Sequence, residues 1–237
     1  MKIKTNYNKI IPGYYDLIYK KKKGIQSAWH HIKFNFVKHE IDKKIFHLDI
    51  GCGPGTFIGL LKKTKSIGID ISSNQIGYAK ENYKKKNKSF YIYKKQIPLK
   101  DKSVDVISLV ELIEHLNDKD LSLLLNECKR VLKKNGKILF TTPNYFSLWP
   151  LLEIILNFIS PLSYKHQHIN KFNKKRLHMF LKSQDFKVMK LGTFILIAPF
   201  LAPLSFKFSL FFEKIDNFLC KFFPGFLLYA IVKNKNI

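Results

Sequence analysis

The feature that most constrains the fold is a strict alternation of short apolar runs with polar, helix-like stretches over residues 44–143. Five runs read as strands, namely IFHLDI, SIGIDI, FYIY, VDVISLV and GKILFTT. Candidate helices lie between them at 56–64, 73–86 and 118–133, and the last closes with KKNG, a helix C-terminus signal. This alternation predicts a parallel sheet with helices on both faces.

The segments on either side of this core differ from it in composition. Residues 1–43 are aromatic and basic and include IQSAWHHIKFNFVKHEI, which has helical periodicity, so we expect an N-terminal helical extension that acts as a lid. Residues 44–237 are expected to form the main domain. That domain includes an apolar insertion at about 194–226, with ten phenylalanines, and a final strand in GFLLYAIVK.

The charge of the chain bears on its partners. The formal net charge is +25, yet Arg130 and Arg176 are the two arginines among 42 basic residues. Phosphate and base recognition usually recruits arginine for its bidentate geometry, so nucleic acid is not the expected partner. The lysine excess fits compositional bias, and a functional basic surface would suit an anionic membrane or an acidic substrate as well as nucleic acid.

Compartment signals in the sequence favour the cytoplasm. The cysteines are odd in number and far apart, which predicts neither a zinc site nor a disulfide framework: Cys52, Cys128 and Cys220. The first residues, MKIKTNYNKI, lack the apolar region of a secretory signal. The uncharged run at 191–206 is interrupted by two prolines and is shorter than the roughly 20 residues of a spanning helix.

The loop HLDIGCGPG, residues 47–55, follows the first predicted strand and opens a helix, where doubly wound sheets bind ligands. Its G-x-G-x-G spacing differs from the dinucleotide pattern, and Pro54 removes an N–H that a pyrophosphate would use. Asp49 would repel phosphate but suits a cationic or amino-bearing ligand. Asp70 ends the second strand, where a carboxylate can accept both ribose hydroxyls. Together they favour a positively charged nucleoside, and S-adenosylmethionine is such a molecule.

Four segments in order, HLDIGCGPGTFIGLL, SIGIDISSNQIGYA, IPLKDKSVDVISLVELIEHL and VLKKNGKILFTTPN, resemble the motifs of class I S-adenosylmethionine-dependent methyltransferases. The resemblance covers roughly residues 44–143. It implies an α/β fold, a doubly wound Rossmann-like sheet of seven strands whose last strand is antiparallel. It also implies S-adenosylmethionine lying across the first two strand ends.

Carried over by position, the resemblance implies a set of cofactor contacts. The glycines surround the methionine moiety, Asp70 is the ribose acid and Ile71 is an apolar wall for adenine. Tyr93 stands where the family often has an acid that contacts the adenine amine, and a tyrosine there can stack or donate its own hydrogen bond. The full set is Asp49, Gly51, Cys52, Gly53, Gly55, Asp70, Ile71, Tyr93, Lys94 and Val110.

Candidates for the chemistry follow the fourth strand in ELIEHL. Methyl transfer to oxygen needs the acceptor proton removed, and His115 is the candidate base, with Glu111 and Glu114 beside it. His168, in HQHIN, resembles a histidine that reaches the acceptor in many small-molecule methyltransferases.

The same residues suggest a metal alternative. E-x-x-E-H resembles the Mg²⁺ pattern of small-RNA 2′-O-methyltransferases, where a later histidine, here His166 or His168, completes the site. The sequence after TTPN reads YFSLWP, which departs from those enzymes, so no metal is expected.

Aromatic residues at both ends suggest accessory roles. In the N-terminal extension, Tyr14, Tyr15, Trp29 and His30 could shield a sulfonium, because aromatic faces attract cations. The apolar insertion, read as a helix over 204–223, leaves a narrow polar face: Lys207, Glu213, Lys214, Asp216 and Lys221. It either packs over the sheet as an acceptor pocket or lies in the membrane interface with its lysines on anionic lipid.

The sequence therefore predicts a cytoplasmic S-adenosylmethionine-dependent methyltransferase, with peripheral contact at the inner face of the membrane. Its expected acceptor is the oxygen of a small or lipid-linked molecule, such as a quinone precursor or a glycolipid intermediate. Two alternatives stay open at this point. One is a metal-dependent RNA 2′-O-methyltransferase, and the other is a non-catalytic, membrane-associated protein that binds S-adenosylmethionine.

Overall fold

The computed structural model describes residues 10–41, 45–159 and 167–235. Two helices precede the sheet, α1 (Tyr14–Lys21) and α2 (Gly24–Ile41). The elements that follow are, in chain order, β1 (Phe46–Ile50), α3 (Thr56–Leu60), β2 (Lys65–Asp70), α4 (Ser73–Tyr83), β3 (Lys88–Ile92), β4 (Val104–Val110), α5 (Asp118–Val131), β5 (Leu132–Pro143), α6 (Trp149–Ile159), α7 (Lys174–Ser183), β6 (Phe186–Phe194), α8 (Phe206–Leu219) and β7 (Leu227–Asn234).

One sheet contains these strands in the order β3-β2-β1-β4-β5-β7-β6. Strands β1 to β5 run parallel, and β7 is antiparallel to both of its neighbours. The predicted seven-stranded sheet with an antiparallel last strand is therefore confirmed. Strand order reverses at β1, which pairs with β2 on one side and β4 on the other, so a crevice is expected outside their carboxyl ends.

The core explains why these segments form the centre of the sheet. Apolar residues of the central strands, such as Leu48, Ile107 and Ile138, have no exposed surface, as expected for parallel strands that are covered on both faces. Helix α5 packs its apolar stripe on this core. It is capped at its N-terminus by Asn117, whose side chain accepts the Asp120 N–H at 2.9 Å.

Several predicted boundaries were wrong. Helix α3 ends at Leu60 and α5 at Val131, and KKNG lies inside β5 instead of closing a helix. The reason is that Leu132 is fully buried and pairs with Val104, after which the strand register shifts. Strand β6 was not predicted from the residues, since its register also shifts beside Val188 and breaks the alternation.

The region predicted as an apolar insertion lies between β6 and β7 and contains a 3-10 turn (Ala198–Leu201) and α8. Asp216 was assigned to the polar face of this helix, and that is wrong, because Asp216 is buried. Its carboxylate accepts the backbone N–H groups of Leu196, Ile197 and Ala198 at 2.8–3.0 Å. Among the described residues, no helix has the length and hydropathy needed to span a membrane.

Helices α1 and α2 pack closely on the sheet domain. Ile32, Val37 and Ile41 of α2 are buried in clusters shared with the sheet and with α3. On α1, the buried carboxylate of Asp16 accepts a hydrogen bond from the hydroxyl of Thr56, the first residue of α3, at 2.9 Å. The N-terminal helices are therefore joined to the end of the sheet that carries the glycine loop.

Candidate functional site

The glycine loop after β1 has left-handed backbone at each of its three glycines, with φ of 74° at Gly51, 50° at Gly53 and 78° at Gly55. A side-chain Cβ at Gly55 would stand 2.8 Å from the Phe90 ring, so packing requires glycine there. A Cβ at Gly53 would have no neighbour within 4 Å. Gly53 therefore borders open space, where a ligand can approach the backbone.

Asp70, at the end of β2, closes over this loop. One carboxylate oxygen accepts the Gly53 N–H at 2.9 Å and the other accepts the Ser72 N–H at 2.8 Å. Burial raises the pKa of Asp70, and these amide donors partly oppose that effect. A carboxylate can accept about four hydrogen bonds, so acceptor capacity remains at Asp70 for a ribose hydroxyl. Ile71, which follows directly, is 58% exposed and offers an apolar wall.

Asp49 lies beneath the loop in a polar network buried within the sheet. The Ser108 hydroxyl donates to Asp49, and His47 Nε2 lies 2.8 Å from the Ser108 oxygen. Burial raises the pKa of Asp49 to about 7; the Ser108 hydrogen bond opposes this rise and the charge of Asp70 adds to it. Burial lowers the pKa of His47 to about 3, so this ring is neutral and no cation compensates Asp49 from that side.

The remaining predicted cofactor residues lie around these three features. Cys52 is buried, and burial raises the pKa of its thiol well above the usual value. Tyr93 is half-buried and its hydroxyl donates to the Lys95 carbonyl at 2.9 Å, so this donor is already engaged. Lys94 is exposed, and Val110 is half-buried at the end of β4.

These residues together fit S-adenosylmethionine. The open space at Gly53 admits a ligand against the backbone, the remaining acceptor capacity of Asp70 suits a ribose, and the buried carboxylate of Asp49 suits a positive group. We call Asp49, the glycine loop 51–55 and Asp70 the cofactor side of the site.

A second group of side chains forms at the carboxyl ends of β4 and β5. Glu114 is 1% exposed and accepts the Thr142 hydroxyl at 3.0 Å. One ligand atom from each of Glu114, His115 and His168 lies within 4.8 Å of the other two. The rings of His115 and His168 are 5.1 Å apart between centroids. The sequence thus identified residues that the fold brings together; His166 lies outside the described residues.

Backbone hydrogen bonds explain how His168 reaches residues so far away in the chain. The carbonyl of Glu114 accepts the N–H groups of Ile169 and Asn170 at 2.8 and 2.9 Å. The Asn170 side chain then donates to the Leu116 carbonyl at 2.6 Å. The short 3-10 helix Ile113–His115 is therefore paired with the segment that carries His168.

Two further residues support His168 and were missed by sequence reasoning. The Nδ1 atom of His168 lies 2.9 Å from a Glu153 carboxylate oxygen and 3.0 Å from the Tyr145 hydroxyl oxygen. Tyr145 donates its hydroxyl to the other Glu153 oxygen at 2.8 Å. Glu153 is the single acid in the apolar helix WPLLEIILNFI, which was a usable signal, because an isolated acid on such a helix needs a partner. We call Glu114, His115, His168, Glu153 and Tyr145 the acceptor side.

The pKa values of this group are coupled. For His168, burial acts to lower the pKa, but the Glu153 hydrogen bond and the charges of Glu114 and Glu111 raise it above the usual value. Burial raises the pKa of Glu114 to about 7, an effect that the His168 charge opposes and the Glu111 charge reinforces. Burial, with the charge of His168, lowers the pKa of His115 to about 4, so this ring is neutral near pH 7.

Glu111 occupies a different environment. Its φ of 50° is uncommon for a residue other than glycine, and its N–H donates to the Thr141 carbonyl at 2.9 Å. Its carboxylate forms an ion pair with Lys33, a buried residue of α2. The fold therefore places Glu111 near the acceptor side but engages its carboxylate with a lysine.

The cofactor and acceptor sides adjoin one another. A Cβ at Gly51 would stand 3.0 Å from the side chain of Leu112, which belongs to the segment between Glu111 and His115. On the opposite flank, the ring of Trp149 lies 6.1 Å from His168 and 5.6 Å from Trp29 of α2.

The other predicted lid aromatics, Tyr14, Tyr15 and His30, are in contact through Tyr15. Tyr15 is in edge contact with Tyr14 and with His30, at centroid distances of 5.2 and 5.5 Å. The N-terminal helices thus bring aromatic rings to one end of the sheet.

Comparisons with known proteins agree with this geometry. A family model described as a methyltransferase domain matches residues 48–140. An uncharacterised protein of Methanocaldococcus jannaschii is 34% identical over 139 residues, covering 57% of this chain and 58% of that protein. A ubiquinone biosynthesis O-methyltransferase of Pelagibacter ubique is 41% identical over 107 residues, covering 43% of each chain. The chain thus spans about half the length of the curated relatives it matches.

A solved structure extends the similarity of the fold to nearly the whole chain. A SAM-dependent methyltransferase of Thermotoga maritima superposes with a TM-score of 0.70 at 18% identity, covering 97% of this chain and 98% of that one. Residues 48–140 therefore match a methyltransferase-domain family, and the superposition shows that the chain has the fold of such an enzyme over nearly its whole length. The match to a methyltransferase domain and the geometry of the cofactor side support S-adenosylmethionine as the cofactor.

Proposed function

We propose that this protein transfers a methyl group from S-adenosylmethionine to a hydroxyl oxygen of a small or lipid-linked acceptor. The observation that carries the proposal is the contact, through Leu112, between a loop suited to S-adenosylmethionine and a buried histidine–carboxylate network. The ubiquinone O-methyltransferase of Pelagibacter ubique supports oxygen as the acceptor atom, since the relative carries that name.

The residues of this chain divide the work of such a reaction. When bound, S-adenosylmethionine supplies an electrophilic methyl group that moves to the acceptor oxygen while sulfur keeps the electrons of the broken S–C bond. Asp70 and Asp49 hold and orient the cofactor. The Nδ1–H of His168 donates to Glu153, which leaves the lone pair of this ring on Nε2 for the acceptor proton.

His168 suits the role of base better than His115, the first candidate from the sequence. The carboxylate of Glu153 fixes the ring and stabilises its positive form, and the pKa of His168 is raised. The pKa of His115 is lowered to about 4, so this ring is the weaker base. We assign His115, whose Nδ1 lies 3.1 Å from the Gln167 carbonyl oxygen, to holding the acceptor.

The surface of α8 supports a lipid-linked acceptor. Exposed apolar residues recur at spacings of three and four, so those within α8 form one stripe along the helix, and Leu204 and Phe222 lie just beyond its two ends: Leu204, Phe208, Phe211, Ile215, Phe218 and Phe222. Lys207, Lys214 and Lys221, one every seven residues, are exposed along one flank of this stripe. We call these nine residues the α8 face.

The chemistry of the α8 face matches an anionic membrane surface. An amphipathic helix at the membrane interface buries its apolar stripe among acyl chains while flanking lysines meet the head groups. Asp216 is buried, so it adds no negative charge to that flank. The exposed charged residues of the α8 face are its three lysines. The proposed location is therefore the inner face of the membrane, where a polyprenylated or glycolipid acceptor resides.

Calorimetric titration with S-adenosylmethionine and S-adenosylhomocysteine tests the cofactor side first. We expect Asp70→Ala to weaken binding by roughly 1–3 kcal/mol, the scale of losing a charged hydrogen-bond partner. Glu81→Ala, an exposed acid on α4, is the matched control and should bind as the wild type does. A folded wild-type protein that binds neither compound would overturn the proposed function.

The acceptor is tested by measuring S-adenosylhomocysteine formation with a polyprenylated catechol, the same catechol without its chain, and an RNA oligonucleotide. We expect turnover with the catechols, with the prenylated form preferred. Turnover with the RNA oligonucleotide and with neither catechol would contradict this proposal and indicate an RNA methyltransferase instead.

Vesicle flotation tests the α8 face. We expect binding to vesicles rich in phosphatidylglycerol but not to neutral phosphatidylcholine, and loss of binding in the double variant Phe211→Ser, Phe218→Ser. Leu123→Ser, an exposed apolar residue on α5, is the matched control. Equal flotation of the double variant and this control would exclude the α8 face as the membrane contact.

A further inference from the structure

We propose that His47 is a positioning residue of the cofactor side, which connects Ser66 to Ser108 by hydrogen bonds and thereby holds Asp49 as a carboxylate for the ligand. The observation is a row of four buried polar side chains that crosses three neighbouring strands of the sheet. The hydrogen bonds stand by themselves, whereas their effect on cofactor affinity rests on the proposed function. We call Ser66, His47, Ser108 and Asp49 the polar chain.

Strand pairing explains why these four side chains meet. His47 and Asp49 are two residues apart on β1, so their side chains lie on the same face of the sheet. His47 pairs with Ser66 of β2, and Asp49 pairs with Ser108 of β4. Each of the four residues is at most 3% exposed. Buried polar groups need hydrogen-bond partners, and here they find them in one another.

The count of donors and acceptors fixes the direction of the polar chain when Asp49 is charged. A serine hydroxyl has one hydrogen, and that of Ser108 is donated to the Asp49 carboxylate. The Ser108 oxygen therefore accepts from Nε2 of His47, which is 2.8 Å away. A neutral imidazole that donates from Nε2 accepts at Nδ1, and the Ser66 hydroxyl oxygen lies 3.3 Å from that atom. All three hydrogens then point toward Asp49.

The polar chain keeps its contacts in reverse when Asp49 takes up a proton. The carboxyl group then donates to Ser108, the Ser108 hydroxyl turns to donate to Nε2 of His47, and Nδ1–H donates to Ser66. The net change is one proton added to Asp49, and the hydrogen of the imidazole is on Nδ1 instead of Nε2. The ring is neutral in both arrangements, in agreement with its pKa of about 3. The tautomer of His47 therefore reports the charge of Asp49.

The polar chain favours the charged form of Asp49 that a cationic ligand needs. A hydrogen bond donated to a carboxylate stabilises its charged form, and a donor that itself accepts a hydrogen bond is polarised further. Burial raises the pKa of Asp49, the Ser108 hydrogen bond opposes this rise, and the charge of Asp70 adds to it. His47 strengthens the one opposing contact, so it extends the pH range in which the cofactor side presents a carboxylate.

Other titratable groups lie on the elements around Asp49, and the variants below leave all of them in place. Asp70 ends β2, and Cys52 in the glycine loop is a neutral thiol because burial raises its pKa. Helix α3 has no titratable side chain. The end of β4 and the first half of α2 contribute Glu111, His30, His31 and Lys33.

Nitrogen NMR of the full chain tests the polar chain directly, because the ¹⁵N shifts of an imidazole distinguish its two neutral tautomers. The signals of His47 are those that disappear in His47→Phe. We expect the Nε2–H tautomer at about pH 8.5 and the Nδ1–H tautomer at about pH 5.5, on either side of the pKa of Asp49. Saturating S-adenosylmethionine at the lower pH should restore the Nε2–H tautomer.

The pH dependence of S-adenosylmethionine affinity gives a second readout by calorimetry. We expect its midpoint to rise by about one pH unit in Ser108→Ala, about half a unit in His47→Phe and less in Ser66→Ala, because each removed contact is further from the carboxylate. The matched control is Ser209→Ala, a buried serine whose hydroxyl donates to the Ala198 carbonyl at 2.6 Å, and its midpoint should not change. If His47→Phe fails to fold by circular dichroism, His47→Gln replaces it.

Two results would overturn the role of His47. The first is a tautomer that stays the same from pH 5.5 to pH 8.5, and the second is an equal midpoint in His47→Phe and Ser209→Ala. If either occurs while S-adenosylmethionine still binds and is turned over, the proposed function stands with Asp49 held by Ser108 alone. If the tautomer changes with pH but S-adenosylmethionine does not bind, the proposed function falls and the polar chain remains.

Discussion

The cofactor side of the site is built by neighbouring residues of one short stretch, whereas the acceptor side is assembled from separated segments. Asp49, the glycine loop and Asp70 lie at two consecutive strand ends, and Asp70 is held by backbone N–H groups of the same stretch. The acceptor side takes its members from the turn after β4, from the region of α6 and from the segment before α7. Substitutions should therefore separate binding of the cofactor from turnover.

The largest expected effect distinguishes the two sides by kinetics. We expect His168→Gln to lower turnover by roughly 10²–10⁴-fold, the range for loss of a positioned acid–base group, while affinity for S-adenosylmethionine changes less than about twofold. Asp70→Ala should show the opposite pattern, with most of its effect on cofactor affinity. Steady-state kinetics and calorimetry on the same samples provide both readouts. A His168→Gln protein that loses cofactor affinity as strongly as Asp70→Ala would show that the two sides are not independent.

The second prediction concerns two glycines within the cofactor side. Gly55→Ala places a methyl group 2.8 Å from Phe90 in left-handed backbone, and we expect it to lower the free energy of unfolding by about 2–4 kcal/mol. Gly53→Ala adds its methyl to open space, so it should cost roughly 1 kcal/mol of stability. Urea denaturation measures both changes.

The affinity for S-adenosylmethionine gives a second measurement on Gly53→Ala. The methyl group of Gly53→Ala would project into the space assigned to the ligand, and overpacking of this kind costs about 1–3 kcal/mol of affinity. Unchanged S-adenosylmethionine binding by Gly53→Ala would show that the open space beside Gly53 is not the cofactor site.

The contrast between local and assembled structure also explains what the sequence could predict. The cofactor side was predictable because a glycine loop and the acids at strand ends have a fixed relation in sequence, and the topology follows from strand–helix alternation. Glu114 and His115 were found because they follow β4. Their contact with His168 depends on the amides of Ile169 and Asn170, which no spacing rule encodes.

Buried polar groups account for the remaining errors. Asp216 occupies a helical position that reads as polar surface, but it binds the amides of the turn at Ala198–Leu201, so the sequence pattern pointed to the wrong environment. Glu153 lay unnoticed in an apolar helix for the same reason, since its role depends on His168 and Tyr145 across the fold. Such partners come from tertiary structure and not from periodicity.

The third prediction uses the pKa of Asp49, which is raised to about 7 in the absence of a cation. Below pH 7 the carboxyl group is protonated, and a positively charged ligand prefers the carboxylate, so affinity for S-adenosylmethionine should rise with pH up to about 7. We expect about a tenfold rise per pH unit between roughly pH 5.5 and 6.5, followed by a plateau. Calorimetry at several pH values measures the slope.

Asp49→Asn is the control for this pH dependence, since it cannot titrate and keeps the shape of the side chain. His47 stays neutral over this range because its pKa is about 3. The variant should bind more weakly with little dependence on pH. A slope that persists in Asp49→Asn would assign the titration to another group, of which Asp70 is the nearest acid with a raised pKa.

The smallest expected effect tests whether the cofactor side depends on contacts with the N-terminal helix α1. Asp16 on α1 accepts hydrogen bonds from Thr56 of α3 and from Tyr78 and Tyr83 of α4, and these contacts join α1 to the two helices that follow the glycine loop. Asp16 also pairs with Lys20 of its own helix. Burial acts to raise the pKa of Asp16, but Lys20 and the hydroxyl donors outweigh it and hold the pKa below the usual value of 3.8. The carboxylate therefore stabilises the fold above about pH 4.

We expect Asp16→Asn to lower the free energy of unfolding by about 1–2 kcal/mol at pH 7, because a charged acceptor is replaced by a neutral amide. This difference should shrink as the pH falls below about 4, since the unfolded chain then takes up a proton that the folded carboxylate, with its lowered pKa, takes up only at lower pH. Urea midpoints at pH 7 and pH 3 measure it, with Asp120→Asn, an exposed acid on α5, as control. If Asp16→Asn also weakens S-adenosylmethionine binding while the control does not, the binding conformation of the glycine loop depends on contacts with α1. If affinity is unchanged, the cofactor side is complete without α1, and the lid role of the N-terminal extension falls.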